Sequence, residues 1–239
     1  MNYEIDKSAQ FPTVTYTLEQ GDTLNIQSGS MIYQTGDVSI QGRLNASGSG
    51  LGKLVKAVAR SVVSGESVFI TEVSSGPKGG QIALAPQAPG SIQELHVSGD
   101  TQYHMNDSSF LALDGDTKYT MERQSAGRAF FGGQGGFFVM TTQGEGTVLV
   151  ASFGSIKEID LNNVENFTVD NAHVVAWETS LNYDIHLAGG GWVNSIGTGE
   201  GIVNTFNGSG KLYIQSLNLE TFAHTLIPFL PTPNNNSGN

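Results

Sequence analysis

The chain has 239 residues, 38% of them hydrophobic and only 14% charged, with 22 acidic against 11 basic side chains and no cysteine. A net charge of −11 repels nucleic-acid phosphates and anionic lipid. The missing thiols exclude disulfides, thiolate nucleophiles and Cys-based metal sites.

The N-terminus, MNYEIDKSAQ, has neither the basic and apolar regions of a secretory signal nor the Arg-rich character of a transit peptide. No apolar run reaches the ~18 residues of a membrane span. The expectation is a cytoplasmic protein.

Thr13-Val14-Thr15-Tyr16-Thr17-Leu18 and Thr23-Leu24-Asn25-Ile26 alternate polar and apolar, the period of half-buried strands. After Ala46-Ser47-Gly48-Ser49-Gly50, the spacing of Leu51, Leu54, Val55, Val58 and Val62 predicts a helix over 51–62. It carries Lys53, Lys56 and Arg60. A basic amphipathic helix can dock on a partner or an anionic membrane. It can equally cover the core with its charges solvated.

Three segments then read as Gly-[Glu/Gln], strand, glycine turn, strand. They start at Gly65-Glu66, Gly133-Gln134 and Gly199-Glu200. Ile26–Tyr33 aligns with Met105–Ala112 and Val169–Ala176, and Ser91-Ile92-Gln93-Glu94-Leu95 with Ser155-Ile156-Lys157-Glu158-Ile159. Blocks recurring in one order predict three β-repeats, about 11–85, 91–150 and 155–216, in a single domain over 1–230. One unit leaves an apolar face bare, and three can close a shared core. The fold expected is all-β, jelly-roll-like or a double-stranded β-helix, with a two-sheet sandwich as alternative.

Leu219, Phe222, Ala223, Leu226 and Ile227 predict a short C-terminal helix ended by Pro228. Residues 231–239 read as a disordered tail.

Candidate sites are sparse. The five His (96, 104, 173, 186 and 224) form no HxH or HExxH motif, so no metal ligands or catalytic residues are assigned. Gly132-Gly133-Gln134-Gly135-Gly136 leads into an apparent strand, not a helix, which fits a turn better than a phosphate loop. Glu66, Gln134 and Glu200 hold equivalent positions. They would form a ring in a threefold array, or accept amide bonds from turns. Trp177 reads as core, whereas Trp192, after three glycines, reads as an exposed contact.

The runs at 133–138, 145–154, 169–177 and 199–206 together resemble the altered-inheritance-of-mitochondria 24 family, across roughly residues 8 to 230. The resemblance implies an all-β, repeat-built fold similar to the tryptophan RNA-binding attenuation protein. It offers no catalytic residues to carry over. Fungal members support mitochondrial inner-membrane organisation, a role not transferred here because the chain lacks a presequence. Bacterial members resembling this chain have no settled activity.

The function expected is a non-enzymatic interaction or scaffold protein with a protein partner and no cofactor. A small-molecule-binding module is the alternative. RNA binding is disfavoured by charge, peripheral membrane contact is left open, and so is the oligomeric state.

Overall fold

The computed structural model describes residues 1–43, 70–124, 138–188 and 201–230. The helix expected at 51–62 and the tail at 231–239 lie outside the described residues. The all-β expectation holds, with antiparallel sheets and a short C-terminal helix.

Strand β1 (Asn2–Ile5) is followed by β2 (Val14–Leu18), β3 (Thr23–Gln27), β4 (Met31–Arg43) and β5 (Ile70–Leu84). Next come β6 (Ile92–Val97), β7 (Tyr103–Asn106), β8 (Phe110–Asp114), β9 (Lys118–Arg123), β10 (Phe138–Gln143) and β11 (Gly146–Ala151). The last four are β12 (Ile156–Asp170), β13 (Val174–Glu178), β14 (Asn182–Leu187) and β15 (Ile202–Gln215), before helix α1 (Leu219–Leu226). The alternation in the sequence sets the faces: Val14, Tyr16, Leu18, Leu24 and Ile26 are buried, and the polar residues between them are not.

One sheet has the order β1-β2-β5-β3-β8-β11-β6, with β4 also on β5. The other runs β12-β15-β13-β7-β10-β9, with β14 also on β15. The same pairings are drawn in each aligned block. The opening strand lies on the closing one: Val14 faces Leu84, Ile92 faces Ala151, and Ile156 faces Gln215. The strand after the small-residue turn also lies on the closing strand, with a bulge at the same place each time. Met31, Phe110 and Val174 face Leu84, Val150 and Ile214, and the register slips just beyond. A bulge that recurs at one position tightens the local twist and re-aims the strand.

Two further pairings join the blocks. β3 of the first lies on β8 of the second, with Leu24, Asn25 and Ile26 opposite Asp114, Leu113 and Ala112. β7 of the second lies on β13 of the third, with Tyr103, His104 and Met105 opposite Glu178, Trp177 and Ala176. Each block therefore completes its sheet with strands from a neighbour. The central core forms where they meet, around Met105, Phe110, Leu113, Met140, Val150 and Val175.

One expectation changes. Gly79-Gly80 and Gly208-Ser209-Gly210 were read as turns between two strands, but β5 and β15 run through them. These glycines bend a continuous strand. Gly79 has φ +64°, and Gly36, which pairs with the adjoining Gly80, has φ +77°. A Cβ on Gly36 would lie 2.5 Å from the Gly79 carbonyl oxygen, so β4 and β5 approach this closely there only because side chains are absent. Gly144-Glu145, by contrast, does separate β10 from β11.

Helix α1 is capped by Asn218, whose side chain accepts from the Thr221 amide at 3.1 Å. Pro228 follows in a 3-10 turn, Ile227–Phe229. Among the described residues no helix is long and apolar enough to cross a membrane.

Candidate functional site

Lys53, Lys56, Arg60, Glu66, Gln134, Trp192 and Glu200 all lie outside the described residues. The structure instead draws attention to a cleft and to two exposed apolar surfaces.

The cleft, of about 360 Å³, is lined by Ile5 at the end of β1, Lys7 beyond it, residues 92–96 of β6, Tyr103 of β7, Glu158 of β12, and Lys211 and Tyr213 of β15. Its residues thus come from all three blocks, and of these strands only β12 and β15 pair with each other. Lys211 Nζ lies 2.8 Å from Glu158 Oε1, with both side chains roughly half exposed. The Glu158 hydrogen bond and charge hold the ammonium more firmly protonated than usual. That is the reverse of what an amine nucleophile requires. Glu178 Oε2 accepts from the Lys211 amide at 3.1 Å.

Tyr103 and Tyr213 meet edge to face, with ring centroids 6.4 Å apart. Burial pushes both phenols up, so they remain protonated hydroxyls at neutral pH. Tyr3 is raised in the same way, chiefly by burial and then by its hydrogen bond to Glu94. Glu94 also lies 2.9 Å from His96 Nε2. Among the described residues no Ser, Thr or Cys lines the cleft. The groups present can donate and accept hydrogen bonds to a small polar molecule.

The cleft was not foreseen, although a signal existed. Glu94 and Glu158 are the shared carboxylates of the two aligned Ser-Ile-x-Glu blocks, and both line it. His104, by contrast, is locked into the fold. Its ring lies 5.4 Å from Trp177 and 5.2 Å from Tyr183, and Nδ1 is 2.8 Å from Thr141 Oγ1. Among the described residues no cluster of His and carboxylates could hold a metal ion.

The first apolar surface is α1 and its flanks. Leu217, Leu219, Phe222, Leu226, Ile227, Phe229 and Leu230 are all exposed, Phe229 at 84%. Phe222 touches the body through Phe153, ring centroids 5.3 Å apart. The second is the start of β4, where Met31, Ile32 and Tyr33 are exposed.

A family model described as Mitochondrial biogenesis AIM24 matches residues 3–217. The chain belongs to that family. An uncharacterized protein of Streptococcus pyogenes serotype M6 is 57% identical over 235 residues, which is 98% of this chain and 93% of the relative. A crystal structure of a Streptococcus pyogenes protein has the same fold, with a TM-score of 0.81 at 53% identity over 96% of this chain and 99% of the other. The family expected from the glycine-rich motifs is therefore the family found. Helix α1 lies beyond the residues the family model matches.

Proposed function

We propose that the chain is a non-enzymatic interaction protein, a scaffold of the cytosol that engages another protein through α1 and its flanks. The observation that carries this reading is the set of seven large apolar side chains left exposed between residues 217 and 230. A soluble domain rarely exposes contiguous apolar surface without a binding role. Leu219, Phe222 and Leu226 sit at helical spacing on α1, the form used for helix-in-groove recognition, and the other four flank it. Zero cysteine favours a cytosolic setting. The charge of −11 argues against RNA as the partner.

A photocrosslinking residue at Phe222 tests the idea in living cells. One discrete protein crosslinked there, and lost when Leu219 and Leu226 are both changed to Asp, is the expected outcome. Crosslinks unaffected by those two charges would refute docking through this face.

The cleft supports a second reading, a small-molecule-binding module, because it gathers hydroxyl, carboxylate and ammonium groups in about 360 Å³. Thermal-shift screening of small polar metabolites tests it. A ligand at 100 times its Kd stabilises by ~2.7 kcal/mol, and Glu158→Gln would abolish a shift that depends on the cleft.

A further inference from the structure

The cleft lies along the edge of a strand. Residues 92–96 of β6 all line it. Consecutive residues of a strand point to opposite faces, so the space they share is at the strand's outer edge. Among the described residues β6 pairs with β11 alone. Such an edge offers a row of backbone donors and acceptors.

The first block has the same edge and shows what lies on it. Met31 and Phe110 mark equivalent bulges against Leu84 and Val150. Val14 of β2 and Gln93 of β6 sit opposite those same two residues. Val14, Thr15, Tyr16 and Thr17 therefore correspond to Gln93, Glu94, Leu95 and His96. On β2 this edge carries β1, antiparallel, with Ile5, Glu4, Tyr3 and Asn2 opposite those four residues.

Side-chain contacts follow the same correspondence. The Tyr3 ring lies 5.2 Å from that of Tyr16, and its hydroxyl donates to Glu94 and accepts from Thr147, both in the second block. The matching pair in the third block is Glu158 and Lys211. Thr147 lies opposite His96, two residues after Glu94, and Lys211 lies opposite Asp160, two residues after Glu158. Glu158 and Lys211 both line the cleft. A tyrosine placed on β6 as Tyr3 is placed on β2 has Leu95 beside it, a carboxylate to receive its proton and an ammonium to donate to its oxygen.

We propose that the cleft takes an extended segment of a partner protein, which adds to β6 as an antiparallel strand with a tyrosine opposite Leu95 and an aliphatic residue opposite Gln93. Backbone pairing supplies the attachment and alternate side chains the selectivity, as in other strand additions. The inference rests on the reading of the cleft as a binding site and makes its ligand a peptide instead of a free metabolite. The strand β1 of another copy is not the occupant, because it is already paired with β2.

The probe is a capped hexapeptide copying residues 2–7, Asn-Tyr-Glu-Ile-Asp-Lys, titrated into the full chain and followed by amide NMR. Shifts along residues 92–97 that saturate are the expected result. No shift there, or shifts confined to β2, overturns the proposal. Two N-methylated versions of the probe, each blocking the amides on one edge of the extended peptide, separate backbone pairing from side-chain contact. One binds about tenfold or more weakly and the other like the parent. Equal affinities overturn strand addition.

Register is read with Phe in place of Tyr in the probe. The Phe probe binds wild type more weakly than the Tyr probe, and Glu158→Gln binds the two alike. Wild type that binds both equally overturns the placement opposite Leu95. A metabolite that raises the melting temperature while the peptide leaves β6 unmoved overturns this proposal and leaves the small-molecule reading standing. Crosslinks at Phe222 report on α1 and are indifferent to either result.

Discussion

Trp177 offers the sharpest test of how the third block is held. Its side chain is fully buried on β13, with the rings of Tyr183, His104 and Phe206 at 4.8, 5.4 and 5.6 Å. Its indole Nε1 is buried with no hydrogen-bond partner. Trp177→Ala removes the ring and leaves a cavity, a loss of about 3–5 kcal/mol. Trp177→Phe keeps an aromatic face against the same neighbours and also removes the unpaired N–H. Burial of an unpaired donor costs about 1–3 kcal/mol, so its removal offsets much of the lost contact, and about 1 kcal/mol of net loss is expected. For 239 residues, unfolding entropy at ~2.1 cal/mol/K per residue totals ~0.5 kcal/mol/K. The Ala variant should therefore melt about 6–10 °C lower, and the Phe variant about 2 °C lower. Calorimetry of the three proteins side by side reads this directly. Equal losses for Ala and Phe would refute the view that the ring packing, rather than the indole, holds this position.

Other expectations follow from single contacts. Burial lowers the His104 pKa, so the unfolded chain binds the proton first as pH falls. Stability is then complete above the unfolded value of about 6.5 and declines as pH drops below it towards the folded value. His104→Gln should flatten that part of a urea-midpoint profile, and an unchanged slope would exclude His104 as its source. A Cβ on Gly90 would lie 1.7 Å from the Ser152 carbonyl oxygen, against backbone that cannot swing away. Gly90→Ala should therefore lower the melting temperature clearly, whereas Gly99→Ala, with nothing near its Cβ, should not. Asn106 Nδ2 donates to the Val174 carbonyl at 2.8 Å across the junction between blocks. Asn106→Leu leaves that acceptor unpaired and should cost about 1–3 kcal/mol in chemical denaturation. Glu158→Gln breaks a half-exposed ion pair and should cost under about 1 kcal/mol.

How far the sequence could be read depended on the range of the contacts. Val14, Tyr16 and Leu18 declared their strand because each alternate side chain faces the same core. The aligned segments Ile26–Tyr33, Met105–Ala112 and Val169–Ala176 each fold as strand end, tight turn and strand start. Ser91 and Ser155, also aligned, both accept a backbone bond at 3.0 Å from the end of a closing strand. Glycine misled where it serves bending instead of reversal: Gly79 and Gly208 look like the turn at Gly144, and only the partner strand distinguishes them. The cleft was out of reach for a different reason. Glu158 and Lys211 meet through the pairing of β12 with β15, but Ile5 and Glu94 join them from strands that pair with neither, and local pattern carries no record of which strands end side by side. The bare edge of β4 is hidden similarly. Met31-Ile32-Tyr33 reads as apolar strand, like Phe110-Leu111-Ala112, and differs in pairing, among the described residues, with β5 alone.

The junction between β3 and β8 also sets a clock for synthesis. Asn25 pairs with Leu113, which leaves the ribosome 88 residues later. At ~5–20 residues per second that interval is about 4–18 s. Throughout it the nascent chain carries a second apolar edge besides that of β4, and the partner that covers it does not yet exist. A fold whose blocks finish one another's sheets must survive that wait at every round of translation, and chaperone demand should fall on the first block before the last one is made.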